Sequence, residues 1–196
     1  MLYYKVELDF ERVNDVVCHY SNDYGMGTTM FCCAREEQPP HKDFRFWYDL
    51  NEGCTLTDVL ANDKGWFVVS SKLRELMIGK VNSEIQFFKV EVVCQNPAVS
   101  SGEYYIANIL SSVDALCLEE SDYSVFRVPS MERPVYSVRK YGIYSNAVKG
   151  LDLFKLSGDH VVGIFCSEAM KDLCAQNGIT GISFVPIRQR DTDASV

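Results

Sequence analysis

FVVSSKLREL, residues 67–76, returns in altered letters as IFCSEAMKDL, residues 164–173, and this doubling constrains the fold more than any other feature of the chain. Each stretch is a short apolar run ending in serine, followed by a cation, an acid and a leucine at matching places. The two align without a gap at an offset of 97, and Ile182, Phe184 and Ile187 then fall on Ile85, Phe87 and Val90. In both copies the serine suits a helix N-cap, where its hydroxyl satisfies an otherwise orphaned amide of the first turn. Leu73, Leu76 and Met77 form one apolar face of a short amphipathic helix, and Met170, Leu173 and Cys174 repeat that face. Arg74-Glu75 and Lys171-Asp172 are expected on the wet side. A strand–helix–strand unit of this size cannot bury its own apolar face, so each copy needs a cover. Whether duplication or convergent patterning produced it, the repeat is scaffold.

Around the copies the chain reads mostly as strands. Residues 2–8, 13–18 and 44–50 carry the aromatic and β-branched content of strands, and EIQFFKVEVVC (84–94) is the strongest strand signal. TLTDVLAN (55–62) reads as a single helical turn. Asp63-Lys64-Gly65 marks a soft boundary between an N-terminal section, 1–62, packed on the rest, and a domain over 63–187, with 188–196 a flexible tail. Two strand-like runs around Ser111-Ser112 lead into the acidic cluster Glu119, Glu120 and Asp122. The expected class is α+β, with a mixed, mainly antiparallel sheet, a few short helices and the duplicated unit. At 196 residues the chain can bury about 70% of its unfolded surface without a disulfide or metal.

Charge narrows the function. The net charge is −8, and lysines and arginines are scattered with no basic stripe, which disfavours direct binding to nucleic acid. An acidic surface suits a basic protein partner, or simply keeps the protein soluble. No apolar stretch approaches the roughly 18–20 residues that span a membrane. MLYYKVELDF opens in a strand-like run with no signal-peptide pattern, so the eight cysteines are expected reduced in the cytoplasm, as small buried hydrophobes.

Candidate chemistry is sparse. Cys33 with His41, or Cys166 with His160, would supply a thiol and a base, but neither pair has a recognisable signature, and Cys166 lies in a strand expected to be buried. No CxxC or helical ligand spacing points to a metal, and HKD (41–43) and GDH (158–160) read as turns. GMG (25–27) lacks the remaining glycine and lysine of a phosphate loop. No cofactor is expected. In FRFWY, alternation puts Phe44, Phe46 and Tyr48 on one face and Arg45 with Trp47 on the other; an exposed Trp47 or Tyr48 would be an anchor for a protein partner. Composition and spacing alone leave an acidic α+β domain and no enzyme, with a cysteine hydrolase or a regulatory interaction module as alternatives.

WFVVSSKLREL, EIQFFKVEVV, GEYYIANILSSVDALCLEES, LFKLSG and IFCSEAMKDLCAQNGITGISFVPI occur in this order over 66–187, and in this order they resemble the immunity-protein family of bacterial polymorphic-toxin systems, long described as a domain of unknown function. VDALCLEES (113–121) and GITGISFVPI (178–187) carry most of the likeness. Cys117 stands where the family pattern suggests a polar or acidic residue, and Lys89 replaces a proline usual after the Phe-Phe pair. The resemblance implies a cytoplasmic, non-enzymatic inhibitor of an antibacterial toxin, in a setting of bacterial competition that includes type VI secretion. It implies as partner the toxin domain encoded by the adjacent gene, a basic HNH-type nuclease in some relatives. Glu119, Glu120 and Asp122, with Tyr123 as anchor, are the first expected contact patch, and Trp47 and Tyr48 the second.

Overall fold

In the computed structural model, which describes residues 1–9, 11–21, 30–32, 34–38, 44–96, 99, 102–127, 135–158 and 163–191, both copies of the repeat fold as expected. The first is β5 (Val68–Ser70), α1 (Ser71–Lys80) and β6 (Ile85–Cys94). The second is β13 (Ile164–Ser167), α2 (Glu168–Gln176) and β14 (Ile182–Pro186). Before the first copy stand β1 (Tyr3–Leu8), β2 (Val17–Tyr20), β3 (Phe44–Tyr48) and β4 (Val59–Asn62). Between the copies come β7 (Tyr104–Ile109), β8 (Ser112–Val113), β9 (Asp122–Phe126), β10 (Val135–Lys140), β11 (Gly142–Tyr144) and β12 (Leu153–Leu156), and β15 (Arg188–Arg190) ends the described chain. The class is α+β as expected, with eight of the twelve strand ladders antiparallel.

Strands β2-β3-β6-β7-β5-β4 close into a barrel, and β14-β1-β13-β12-β8 form an open sheet. The barrel was not legible in the sequence, because its closure joins β2 to β4 and β3 to β6 across long stretches of chain. One segment changes type. TLTDVLAN, read as a helical turn, contains β4, where Leu60 points into the barrel and Val59 into the layer between barrel and sheet, both fully buried. A strand covered on both faces shows no alternation, which is why the period misleads.

β4 also enlarges the repeat. Val59 and Leu60 pair antiparallel with Val69 and Val68, and Leu153 and Phe154 pair with Cys166 and Phe165 in the same relative register. β7 lies antiparallel between β5 and β6, and β1 lies antiparallel between β13 and β14. Ser70 faces Tyr104 while Ser167 faces Tyr3, and Ile85 faces Ile109 while Ile182 faces Leu8. The doubled unit is therefore four strands and a helix, β4-β5-β7-β6 with α1 and β12-β13-β1-β14 with α2. In both, the alternate residues pack alike. Val59, Val69, Leu73 and Met77 share one core with their counterparts Leu153, Cys166, Met170 and Cys174. Leu60, Val68 and Tyr104 fill the barrel, while Phe154, Phe165 and Tyr3 sit on the far side of the open sheet.

The repeated cations are not simply on the wet side. Arg74 lies 4.5 Å from the Tyr105 ring and Lys171 4.9 Å from the Tyr4 ring, so each half-buried cation covers the tyrosine beside its helix.

Two aspartates tie the copies together. Leu73 N–H donates to Ser70 Oγ and Met170 N–H to Ser167 Oγ, each at 3.2 Å, so both capping serines act as expected. Each serine hydroxyl then donates to an aspartate at 2.7 Å, Ser70 to Asp58 and Ser167 to Asp152. The second oxygen of each carboxylate reaches the other copy: Asp58 accepts from Thr180 N–H at 3.1 Å, and Asp152 accepts from Asn82 N–H at 2.8 Å. Both receiving segments directly follow the opposite helix. Gly181 lies in one of them at φ +79°, and an added Cβ there would collide with the Val59 carbonyl. Hydrogen bonds to a charged acceptor contribute more than neutral ones, about 1.5–3 kcal/mol. Asp58→Ala is accordingly expected to lower unfolding stability by about 2–3 kcal/mol in urea titrations, more than the roughly 1 kcal/mol of Ser70→Ala, because it releases both copies. A loss below about 0.5 kcal/mol would show that the clamp contributes nothing.

Candidate functional site

The acidic turn is built by VDALCLEES. Ala115 and Cys117 are fully buried, and Leu118–Glu120 form a single 3-10 turn. Burial accounts for Cys117, where the family pattern suggests a polar group. Ser121 Oγ donates to the Cys117 carbonyl at 2.7 Å and accepts from Gly142 N–H at 2.9 Å, fastening the turn to β11. Gly142 must lack a side chain, since an added Cβ would strike Glu120.

Arginines surround these acids. Arg190 donates to the Glu119 carboxylate at 2.6 Å, and Arg188 to the Glu120 carbonyl at 3.2 Å. Arg139 donates to Asp122 at 2.8 Å, a hydrogen bond that holds the Asp122 carboxyl below its ordinary pKa. The structure brings Glu119, Glu120 and Asp122 together, but with compensating charge that one sequence run does not reveal. Tyr123 is half-buried, edge-on to Tyr136 at 5.6 Å. The pairs are exposed, so each contributes little to stability.

Trp47 and Tyr48 part company. The expected alternation in β3 holds, with Phe44, Phe46 and Tyr48 inside the barrel. Tyr48 is 1% exposed and cannot anchor a partner, since the inward side of a closed barrel has no surface. Trp47 points outward, half-buried, and stacks on His19 with ring centroids 4.5 Å apart. His19 Nε2 lies 2.6 Å from a Glu52 carboxylate oxygen, and Arg45 pairs with Glu91 at 3.3 Å on the same outer face.

This face continues into a rim of two loops. Cys54 N–H and Thr55 N–H both donate to the Asn14 carbonyl at 3.0 Å, and Val16 N–H donates to the Thr55 carbonyl at 3.0 Å. Gly53 packs so closely that a Cβ would collide with the Asp15 carbonyl. Val13, Val17 and Leu50 are exposed on or beside these loops, amid Glu11, Asp15, Asp49 and Glu52. The sequence carried one signal for the rim: Val13 stands alone among polar residues, where a strand core would not put it.

Nothing nucleophilic converges among the described residues. Cys33, His41 and His160 lie outside them, and Cys166 is fully buried in β13. Burial pushes the Cys166 thiol up, with a further push from Cys174. Burial likewise raises the Cys18 thiol to about 12, aided by Asp63, and the Cys174 thiol to about 11, aided by Asp58. No group of three or more His, Cys, Asp or Glu among the described residues could hold a metal ion. A cavity of about 160 Å³ between barrel and sheet is lined by Val6, Phe31, Trp66, Phe67, Lys155 and Ile164. Lys155 Nζ donates to the Phe31 carbonyl at 2.6 Å, and Asn108 Nδ2 to the Arg35 carbonyl at 2.8 Å, so this buried polar pair holds Phe31 and Arg35. No described helix is long and apolar enough to cross a membrane.

Of the candidate residues, Glu119, Glu120, Asp122 and Tyr123 lie on the acidic turn and β9, Trp47 lies on the outer face of the barrel, and Tyr48 lies inside it. The chain belongs to the immunity protein family (Imm11), whose model matches residues 2–189. The match reaches well beyond the segments over 66–187 that suggested it and takes in β1, β2 and β3. No curated protein matches the chain.

Two outcomes test the thiol assignments. A disulfide reagent should label exposed Cys54 in the native protein, and Cys18, Cys94, Cys117, Cys166 and Cys174 only after denaturation, as read by peptide mass mapping. Because the folded Cys18, Cys166 and Cys174 thiols titrate above the unfolded value of about 8.5, their stabilisation is complete below that pH and is lost as pH rises above it. The melting temperature should therefore fall as pH rises from about 9 towards 11. Rapid native labelling at Cys166 would contradict the burial.

Proposed function

We propose that this protein neutralises a toxin domain in the cytoplasm by stoichiometric binding, with no turnover of its own. The observation that carries the reading is the family match over residues 2–189, since membership implies a toxin-neutralising role. The net charge of −8 supports a basic partner, and a nuclease is the favoured class because a domain that grips phosphates needs a basic surface. The partner is expected to be encoded by the adjacent gene, in a setting of bacterial competition that includes type VI secretion, and no direct contact with nucleic acid is involved. Residues 1–62 are proposed to act with the rest as one binding body: β1 pairs with β13 and β14, and β2 and β3 with β4 and β6.

Co-expression with the toxin domain of the adjacent gene should restore growth of cells that the toxin alone arrests, and the two purified chains should elute as a stable complex. Arrest that persists at equal expression, with no complex formed, would overturn the reading.

A further inference from the structure

The outer face of the barrel offers what the acidic turn lacks, namely apolar contact area beside acids in excess. Residues 11–20 and 45–55 hold four Asp and Glu against Arg12 and Arg45, a net −2. In the rim loops, Glu11, Asp15, Asp49 and Glu52 stand against Arg12, and Arg12 is paired with Asp15 at 3.0 Å. Among these acids sit exposed apolar side chains: Val13 is 98% exposed, Val17 40% and Leu50 38%. Val13 and Leu50 lie on loops whose backbones are bonded together through Asn14, Cys54 and Thr55. Trp47 adds a broad aromatic surface held in one orientation by the His19 ring, which Glu52 holds in turn. Such a surface loses little conformational freedom on binding, so more of its contact energy survives as affinity.

The geometry points to this face, strand β2, the outer side of β3 and the rim loops 11–15 and 49–55, as the docking surface for a basic protein, the toxin domain itself. This assignment rests on the toxin-neutralising reading above. Trp47 and Leu50 supply central apolar anchors, and Glu11 and Glu52 supply the field that steers a positive partner and rejects acidic ones. Another exposed apolar pair, Val125 and Phe126 on β9, keeps different company. Arg127 and Arg139 stand close by, and Glu119 and Asp122 are held by Arg190 and Arg139. A basic partner meets less favourable charge there.

The test uses the full chain and the purified toxin domain of the adjacent gene, inactivated at its catalytic residue. A rim variant, Val13→Ser with Leu50→Ser, Glu11→Lys and Glu52→Lys, changes only exposed side chains and should keep the wild-type melting temperature to within a few degrees. Its affinity should fall by about 100-fold or more, with a slower on-rate and weaker salt dependence. A control variant on β9 and the acidic turn, Phe126→Ser with Glu119→Lys, should bind within about threefold of wild type. Wild-type binding with an unaffected rim variant would overturn this surface and leave the toxin-neutralising reading intact. Failure of the wild-type chain itself to bind or protect would overturn that reading, and this surface with it. Should the rim variant melt early, Trp47→Phe, which keeps the ring against His19, provides the second readout: affinity unchanged together with an unaffected Glu52→Lys would count against the surface.

Discussion

Two carboxylates hold this fold in register. Asp58 and Asp152 each accept the hydroxyl of a serine that caps a helix, and each accepts a backbone N–H from the segment after the opposite helix. A cap alone orders a few residues of one helix. Because each aspartate reaches both copies, the start of one helix and the end of the other are set by the same group. The core between the copies, Val59 to Met77 on one side and Leu153 to Cys174 on the other, can then close with matched spacing. A half-buried carboxylate is tolerated where its lone pairs are filled, and here the capping serine and the opposite copy supply donors, with Lys72 also 3.8 Å from Asp58.

From this shared core the copies diverge. The first adds β2 and β3 and curls into a closed barrel filled by Phe44, Phe46, Tyr48, Trp66 and Phe88, which leaves no open edge along those strands. The second stays open, and its far face is covered by Ile143 of β11, Val148 of the 3-10 turn Ser145–Val148, and Ile187 just before β15. The scaffold is therefore doubled while the decoration is not. On the barrel side the undoubled part includes the rim loops, where Glu11, Asp15, Asp49 and Glu52 stand against Arg12.

The strand–helix–strand copies, their capping serines and the inward Phe44-Phe46-Tyr48 face were legible because each rests on local spacing. The larger repeat was also written in the chain, as Asp58-Val59-Leu60 against Asp152-Leu153-Phe154 and Tyr3-Tyr4 against Tyr104-Tyr105. It was missed because β4 is buried on both faces and mimics a helical turn, and because β1 precedes its copy while β7 follows. The barrel could not be read, since its closing pairs are far apart in sequence. For the surface, local reading found the acids of the 119–122 cluster and Trp47. It could not foresee that Arg139, Arg188 and Arg190 converge on the former, or that His19 and Glu52 support the latter.

An inhibitor that works by contact must be rigid where it touches and hard to unfold elsewhere. The clamped double core supplies the second property, and loops bonded through Asn14 and Thr55 and set beside a barrel wall supply the first. Hydrogen–deuterium exchange on the chain with and without the inactivated toxin domain tests this division most directly. Docking on the acidic barrel face predicts new protection in residues 11–20 and 45–55, with residues 118–127 unchanged. Protection confined to 118–140, with the barrel rim still exchanging freely, would contradict it.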